Sequence, residues 1–242
     1  MRLHVIDSGS KANGYVLTND QDTLIIEAGC NYRSVCTIID YNVESIRGCV
    51  VSHSHYDHSR HVVEYVKRGV KVLALEQVFE YLYIKGKYCI NVTPLKGYKL
   101  GDFKIMPFEV HHDIPCLGYI IDHPDMGRLL FYTDTYMLKY KFEGINHLLM
   151  EINYSEEIAR HNVESGLRPQ FVHDRLLTSH MELGEAKEML KSNNLSAVRN
   201  IVLCHLSDEN SNEELFIDQV AALTGKPVYV AKPGLEVDLS SI

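Results

Sequence analysis

The stretch HSHYDHSRH, residues 53–61, follows directly on the apolar run CVVS and packs four histidines and an aspartate into nine positions. A short apolar run that gives way to polar side chains reads as a buried strand reaching the edge of its sheet, where rigid backbone holds ligand-capable groups open to solvent. His53 and His55, two positions apart, point the same way while the chain is extended, and the adjacent pair Asp57 and His58 can serve a second centre. Imidazole and carboxylate in this combination suit Zn, Mn or Fe. Such a cluster constrains the fold, because a closed site needs further donors brought to the same edge from elsewhere.

Three candidate donors stand at predicted strand ends. His112 follows FKIMPFEVH, Asp134 follows RLLFYT and His205 follows NIVLC. Taken singly, each fits a structural or capping role; taken with the cluster, they read as its missing partners. His111 and His112 point to opposite sides of an extended segment, and the His-Asp pair favours His112. His61, one helical turn beyond His58, reads as a helix-face residue.

The rest of the chain alternates strand and helix signals. LHVID, GYVLTND and TLIIEAG read as strands, with SGSKANG as a hairpin loop, since it lacks the GK[ST] ending of a nucleotide-binding loop. SVCTIIDYN, HVVEYVKRG and EQVFEYLYIKG read as helices, the last two stopped by Gly69 and Gly86. YKLGDFKIMPFEV, GYIIDHP and RLLFYTDT read as strands, with HPDMGR as a hairpin turn; NHLLMEI, NIVLCHL and PVYVAKPG follow as strands around the helices LGEAKEMLKSN and NEELFIDQVAALTG. Both halves run from strands into helices, and no Pro/Gly/Ser linker divides them. The expected architecture is α/β: two sheets packed face to face with helices outside, a four-layer αββα sandwich forming a single domain over residues 1–242.

A net charge of −8 and a pI near 5.9 exclude a protein that coats nucleic acid through overall charge. They leave room for a local basic groove, for which KYKFEG and LRPQFVHDR are the candidates. Six cysteines without a CxxC pair predict reduced, mostly buried thiols, Cys116 and Cys204 among them. No apolar run approaches the roughly 20 residues of a membrane span, and MRLHVIDSGS lacks the apolar core of a signal peptide, so a cytoplasmic protein with no membrane partner is expected.

HSHYDH, with His112, Asp134 and His205 in that order, resembles the metallo-β-lactamase superfold across nearly the whole chain. The resemblance implies one divalent ion on His53, His55 and His112, a second on Asp57, His58 and His205, and Asp134 bridging both, with Zn or Mn foremost and Fe as a further option. Within the superfold the chain resembles the YycJ/WalJ branch of metal-dependent 5′ to 3′ DNA exonucleases, through SGSKANG, the HHD segment with its GY pair, YTDT, MEINY, SHM and LCHLSDEN. It departs from that branch at Glu27, where an aspartate is usual, at Tyr15, often a cysteine, and at SHMEL.

From these readings follow the expected roles. Asp57 orients or deprotonates the attacking water, His180 protonates a leaving group or contacts a phosphate, and Glu27 fixes the tautomer of a ligating histidine. Ser8, Ser10, Asn13 and Asn153 contact substrate. Asn153 and Tyr154 otherwise cap the following helix, which Ser155 with Glu156 would do equally well. The expected activity is two-metal hydrolysis of phosphodiesters, with DNA as substrate. Its alternatives are hydrolysis of cyclic nucleotides or other small phosphodiesters, and, in another class, a catalytically silent metal-containing module that binds nucleic acid or protein.

Overall fold

The computed structural model describes residues 1–240. Its strands are β1 (Arg2–Asp7), β2 (Gly14–Thr18), β3 (Thr23–Ile26), β4 (Ile46–Val50), β5 (Val72–Ala74), β6 (Cys89–Asn91), β7 (Tyr98–Leu100), β8 (Phe103–Val110), β9 (Cys116–His123), β10 (Gly127–Tyr132), β11 (His147–Glu151), β12 (Asn200–Cys204), β13 (Val228–Val230) and β14 (Glu236–Asp238). The helices are α1 (Tyr32–Ile38), α2 (Tyr56–Ser59), α3 (Val62–Lys67), α4 (Glu76–Tyr81), α5 (Glu156–Glu164), α6 (Gln170–Ser179), α7 (Leu183–Ser192) and α8 (Glu213–Thr224).

The strands form two seven-stranded sheets, ordered β14-β1-β2-β3-β4-β5-β6 and β13-β12-β11-β10-β9-β8-β7. Each begins with antiparallel hairpins, β1-β2-β3 and β8-β9-β10, and continues in parallel, β3 to β6 and β10 to β13. The similar rhythm of the two halves is therefore a repeated sheet plan. In both sheets the parallel strands send their C-terminal ends to one edge, where open α/β sheets carry their chemistry.

Alternation along each strand fills two faces at once. Leu129 and Phe131 of β10 face the space between the sheets with Leu3, Leu24, Val50 and Tyr119, while Leu130 and Tyr132 face outward onto α7 and α8 through Leu190 and Phe216. On the other side Ile25, Val51 and Val72 pack on Val35, Val62 and Phe79 of the helices over the first sheet. Three apolar layers thus separate four structural ones, the αββα sandwich that the sequence predicts.

One local expectation changes, and one segment is added. Helix α4 stops at Tyr81, short of Gly86. Tyr83 turns to φ 53°, its amide donates to the Glu80 carbonyl, and that of Ile84 donates to Phe79, a Schellman closure with tyrosine where glycine is usual. The segment 156–179 folds as α5 and α6, which bury little beyond Ala159 and Leu176 against Tyr154. Among the described residues no helix is long and apolar enough to cross a membrane.

Candidate metal centre

Three loops interlock beneath the histidine cluster. After β3 the amide of Glu27 continues the ladder to the Val50 carbonyl at 2.8 Å, and that of Ala28 donates to His58 at 2.8 Å. Gly29 donates to Asn13, whose own amide donates to the carbonyl of Asp57, at 2.9 and 2.8 Å. Gly29 has to be glycine: a Cβ there would fall on the Asp57 carbonyl oxygen and within 2.6 Å of the Asn13 amide nitrogen. The HSHYDH turn is therefore held by backbone bonds from two other loops before any side chain acts.

Above this frame the ring nitrogens converge. His53 Nε2 lies 2.9 Å from Nδ1 of His55, which lies 3.2 Å from Nε2 of His112. The outward nitrogens are spoken for: Ser52 Oγ is 2.8 Å from His53 Nδ1, and His112 Nδ1 donates to the Ser179 carbonyl at 3.0 Å, which leaves Nε2 of each ring free to bind. His111 instead packs its ring on Tyr136, outside this cluster.

A second group faces the first. Asp57 Oδ2 stands 3.0 Å from His58 Nε2 and 3.3 Å from His205 Nε2, and accepts from Asn13 Nδ2 at 3.1 Å. Asp134 sits between the groups, with Oδ2 2.7 Å from His58 Nε2 and 3.6 Å from His53 Nε2, and Oδ1 3.4 Å from His205 Nδ1. Donor atoms of His53, His55 and His112 lie within 4.8 Å of one another, as do those of Asp57, His58 and His205. The seven residues singled out in the sequence are thus brought together.

A further carboxylate that the sequence reading passed over completes the constellation. Glu151, the last residue of β11, has no exposed surface; its Oε1 is 2.7 Å from His180 Nδ1 and 3.3 Å from His205 Nδ1, and its Oε2 accepts from the Thr135 amide at 3.0 Å. Its signal was available, since NHLLME ends in a charged residue after an apolar run, as FYTD and LCH end in theirs.

Charge explains what this arrangement is suited to. Burial alone would raise Asp134 and Glu151, yet the surrounding histidines hold both below the ordinary carboxylate range, and Asp57 is lowered likewise by His205 and His58. Burial would lower the histidines; the carboxylates outweigh it, so His205 is pushed up to about 9 and His180 to about 10, while His58 is raised by Asp134 and Glu27. His53, surrounded by other imidazoles, is lowered by burial and by His58. Among the described residues the ion pairs of Asp57, Asp134 and Glu151 are all with histidines. Two buried carboxylates and the partly buried Asp57, set among imidazole nitrogens, fit divalent cations, which would take over the charge that protonated histidines balance here.

The remaining candidates take specific places. Glu27 accepts from the Ser52 amide and stands 3.5 Å from His58 Nδ1, the nitrogen turned away from the cluster. Asn13 is buried with its amide on Asp57 and His58. Asn153 is buried too and, in place of an open cleft contact, donates to the His205 carbonyl at 2.7 Å. Ser8 Oγ accepts from the His205 amide at 2.9 Å, and the exposed Ser10 lines an adjoining cavity of about 590 Å³ with Lys11 and Ser207. Ser155 occupies the N-cap of α5 without a side-chain cap bond; Glu182 Oε1 accepts from the Glu156 amide instead, at 3.2 Å. His61 reaches Glu64 on its own helix. Cys116 and Cys204 are buried thiols whose pKa burial pushes up, which disfavours thiolate.

Glu27, Asp134 and His205, which lie one or two residues beyond β3, β10 and β12, all adopt left-handed φ, at 66°, 48° and 53°. Non-glycine residues seldom do so, and such strain gathers at functional sites, where surrounding bonds enforce it. Here the turn swings each side chain from the strand direction back toward the centre.

Residues 27–206 match the family model of the beta-lactamase superfamily domain. Comparison with curated proteins returns no match. Among solved structures, the metallo-beta-lactamase fold protein YhfI from Bacillus subtilis aligns over 98% of this chain and 99% of its own, with TM-score 0.70 and 16% identity. Zn(2+)-bound PqqB from Methylobacterium extorquens aligns over 98% and 100%, with TM-score 0.69 and 12% identity. Human tRNase Z, short form, aligns over 100% of both chains, with TM-score 0.63 and 12% identity. At such identities the likeness is one of fold.

Proposed function

This chain belongs to the beta-lactamase superfamily, and on that premise we propose that it is a metal-dependent phosphodiesterase, a nuclease that degrades DNA stepwise from the 5′ end. The observation that carries the proposal is the position of Asp134, with one oxygen toward His53 and His58 and the other toward His205 and His180. In this reading His53, His55 and His112 hold one divalent ion, Asp57, His58 and His205 hold another, and Asp134 serves both, with Zn or Mn the favoured metals and Fe a third. Bound there, such ions supply a hydroxide at neutral pH and neutralise charge on the phosphoryl oxygens.

The side chains supply the rest. Asp57, held by Asn13, directs the water through its carboxylate. His180, held by Glu151 at 2.7 Å and Asp134 at 3.1 Å through Nδ1, stands ready to give a proton to the departing sugar oxygen. That donor favours a phosphodiester over a thioester, because an alkoxide needs a proton to leave and a thiolate does not. Support for DNA comes from the resemblance to the YycJ/WalJ branch, and support for nucleic acid in general from a structural neighbour named a tRNase. The proposal includes a cytoplasmic location, supported by six cysteines that are all free thiols.

The test is digestion of 5′-labelled single- and double-stranded DNA with Mn or Zn, beside Asp134→Ala and Asp57→Asn checked for folding. Stepwise digestion by the wild type, reduced by at least about 100-fold in both variants, is expected. A folded Asp134→Ala with undiminished activity overturns the metal assignment. A metal-loaded wild type that ignores DNA but hydrolyses cyclic nucleotides replaces DNA with small phosphodiesters.

A further inference from the structure

The donor residues are unequally open to water. The side chains of His53, His58, His112, Asp134 and His205 are at most 5% exposed, whereas His55 is 33% and Asp57 20% exposed. The centre therefore opens to solvent at these two residues, and the residue between them is Tyr56, 69% exposed. Tyr83 and Phe171 are more exposed still; what sets Tyr56 apart is its place in the chain between the two donor residues that meet solvent.

Tyr56 is nonetheless held. The Arg60 guanidinium lies 5.6 Å from the centroid of its ring, one turn along from it, and Arg60 Nε is itself fixed on the Gly29 carbonyl at 2.6 Å. Cation–π contact with an anchored arginine orients the ring and leaves most of its surface to solvent. Gly29 belongs to the loop that also fixes the backbone around Asp57, so ring, arginine and donor residues share one rigid support.

We propose that Tyr56, braced by Arg60, is a stacking platform for an unpaired nucleobase of the nucleotide flanking the scissile phosphodiester, which makes single-stranded polynucleotide ends the preferred substrate. The inference rests on the phosphodiesterase reading above and deepens it. A planar base finds on the ring the π-surface that any of the four bases accepts, so the contact selects for strandedness and not for sequence. The guanidinium adds positive charge beside the opening of a chain whose net charge is −8, where a neighbouring phosphate gains most from it. Duplex ends are disfavoured because the flanking base must first leave its partner.

Two single-stranded oligonucleotides that differ only in an abasic tetrahydrofuran at the nucleotide flanking the first cleaved bond test this. The wild type is expected to show KM higher on the order of 10- to 100-fold on the abasic strand, with kcat nearly unchanged. Tyr56→Leu should raise KM on the natural strand to the abasic level and show no further loss on the abasic one, and Tyr56→Phe should behave as wild type. Metal content, measured for each variant, separates loss of stacking from disturbance of His55 or Asp57. Should Tyr56→Leu lose metal, Tyr56→Ala and Tyr56→Trp take its place, with the abasic penalty expected to vanish in the first and persist in the second. A wild type that cleaves both strands with equal KM, or a metal-loaded Tyr56→Leu with wild-type KM, overturns the platform and leaves phosphodiester cleavage standing. A metal-loaded wild type that cleaves neither strand overturns both readings.

Discussion

Nδ1 of His180 lies 2.7 Å from Oε1 of Glu151, a carboxylate with no exposed surface at the end of β11. The same oxygen is 3.3 Å from Nδ1 of His205, so one buried charge governs both a proposed proton donor and a proposed metal ligand. Glu151 is held in turn by the amide of Thr135, next to Asp134.

Glu151→Gln should therefore act through the charge of His180. Before any ion binds, burial pulls that imidazole down and Glu151, ahead of Asp134, lifts it to about 10; with ions on Asp134, Glu151 is left as its carboxylate partner. Without the carboxylate its folded pKa falls, and an acid that must be protonated to work loses its proton at lower pH. The alkaline limb of kcat should move toward neutrality, and kcat at pH 8 should drop by about 10- to 100-fold. A pH–rate profile whose alkaline limb stays in place would exclude His180 as the proton donor.

Metal uptake should release protons. Before any ion binds, His58 and His205 are raised by Asp134 and their other carboxylate neighbours, His205 to about 9, so both carry protons at pH 7. A cation must displace them, and affinity should tighten as pH rises from 6 to 8. Calorimetric titration with Zn or Mn in buffers of different ionisation enthalpy should report release of roughly two protons per chain. Heats independent of the buffer would show that these imidazoles are neutral beforehand.

The donor residues were legible because strand ends advertise them. His53, His112, Asp134 and His205 each stand within two residues of the end of an apolar run, a pattern that needs no knowledge of contacts. Glu151 breaks NHLLME in the same way, but nothing local distinguishes a strand-end carboxylate that meets the centre from one that faces solvent. Asn13 and Gly29 were a different case. Their roles come from hydrogen bonds between loops far apart in sequence, and no local period encodes a bond from Asn13 to Asp57. A helix beginning after Ser155 is legible in the sequence, but the extent of α5 and the presence of α6 are not, since Ala159 and Leu176 are nearly all they bury. The end of α4 misled for a physical reason as well: a left-handed tyrosine did the work that glycine usually does.

Away from the centre, His147 should set part of the acid stability. It is buried at the start of β11, and burial, with Arg199 beside it, lowers it from an ordinary value of 6.5 to about 4. The unfolded chain thus binds the extra proton between those values. The stability this neutral ring contributes is complete above pH 6.5 and lost as pH falls toward 4, by about 3 kcal/mol at the low end. Urea midpoints at pH 7 and 4.5 should converge in His147→Gln relative to wild type; an equal drop in both proteins would assign acid unfolding to other groups.

Gly29→Ala should separate the frame from the ligands. All seven proposed ligands remain, but the new Cβ meets the Asp57 carbonyl and the Asn13 amide, both backbone and neither able to rotate away. Relief requires the 27–30 loop to move off the HSHYDH turn, which breaks the bonds Gly29 to Asn13 and Asn13 to Asp57. The expected cost is about 3 kcal/mol of stability, at the upper end of ordinary overpacking. Because Asp57 and His58 ride on that turn, the site formed by Asp57, His58 and His205 should weaken more than the site formed by His53, His55 and His112. Metal stoichiometry by mass spectrometry of the native chain should then fall toward one ion while the fold, followed by circular dichroism, persists. Two ions retained at wild-type affinity would mean that the side chains, and not this backbone lock, set the geometry of the centre.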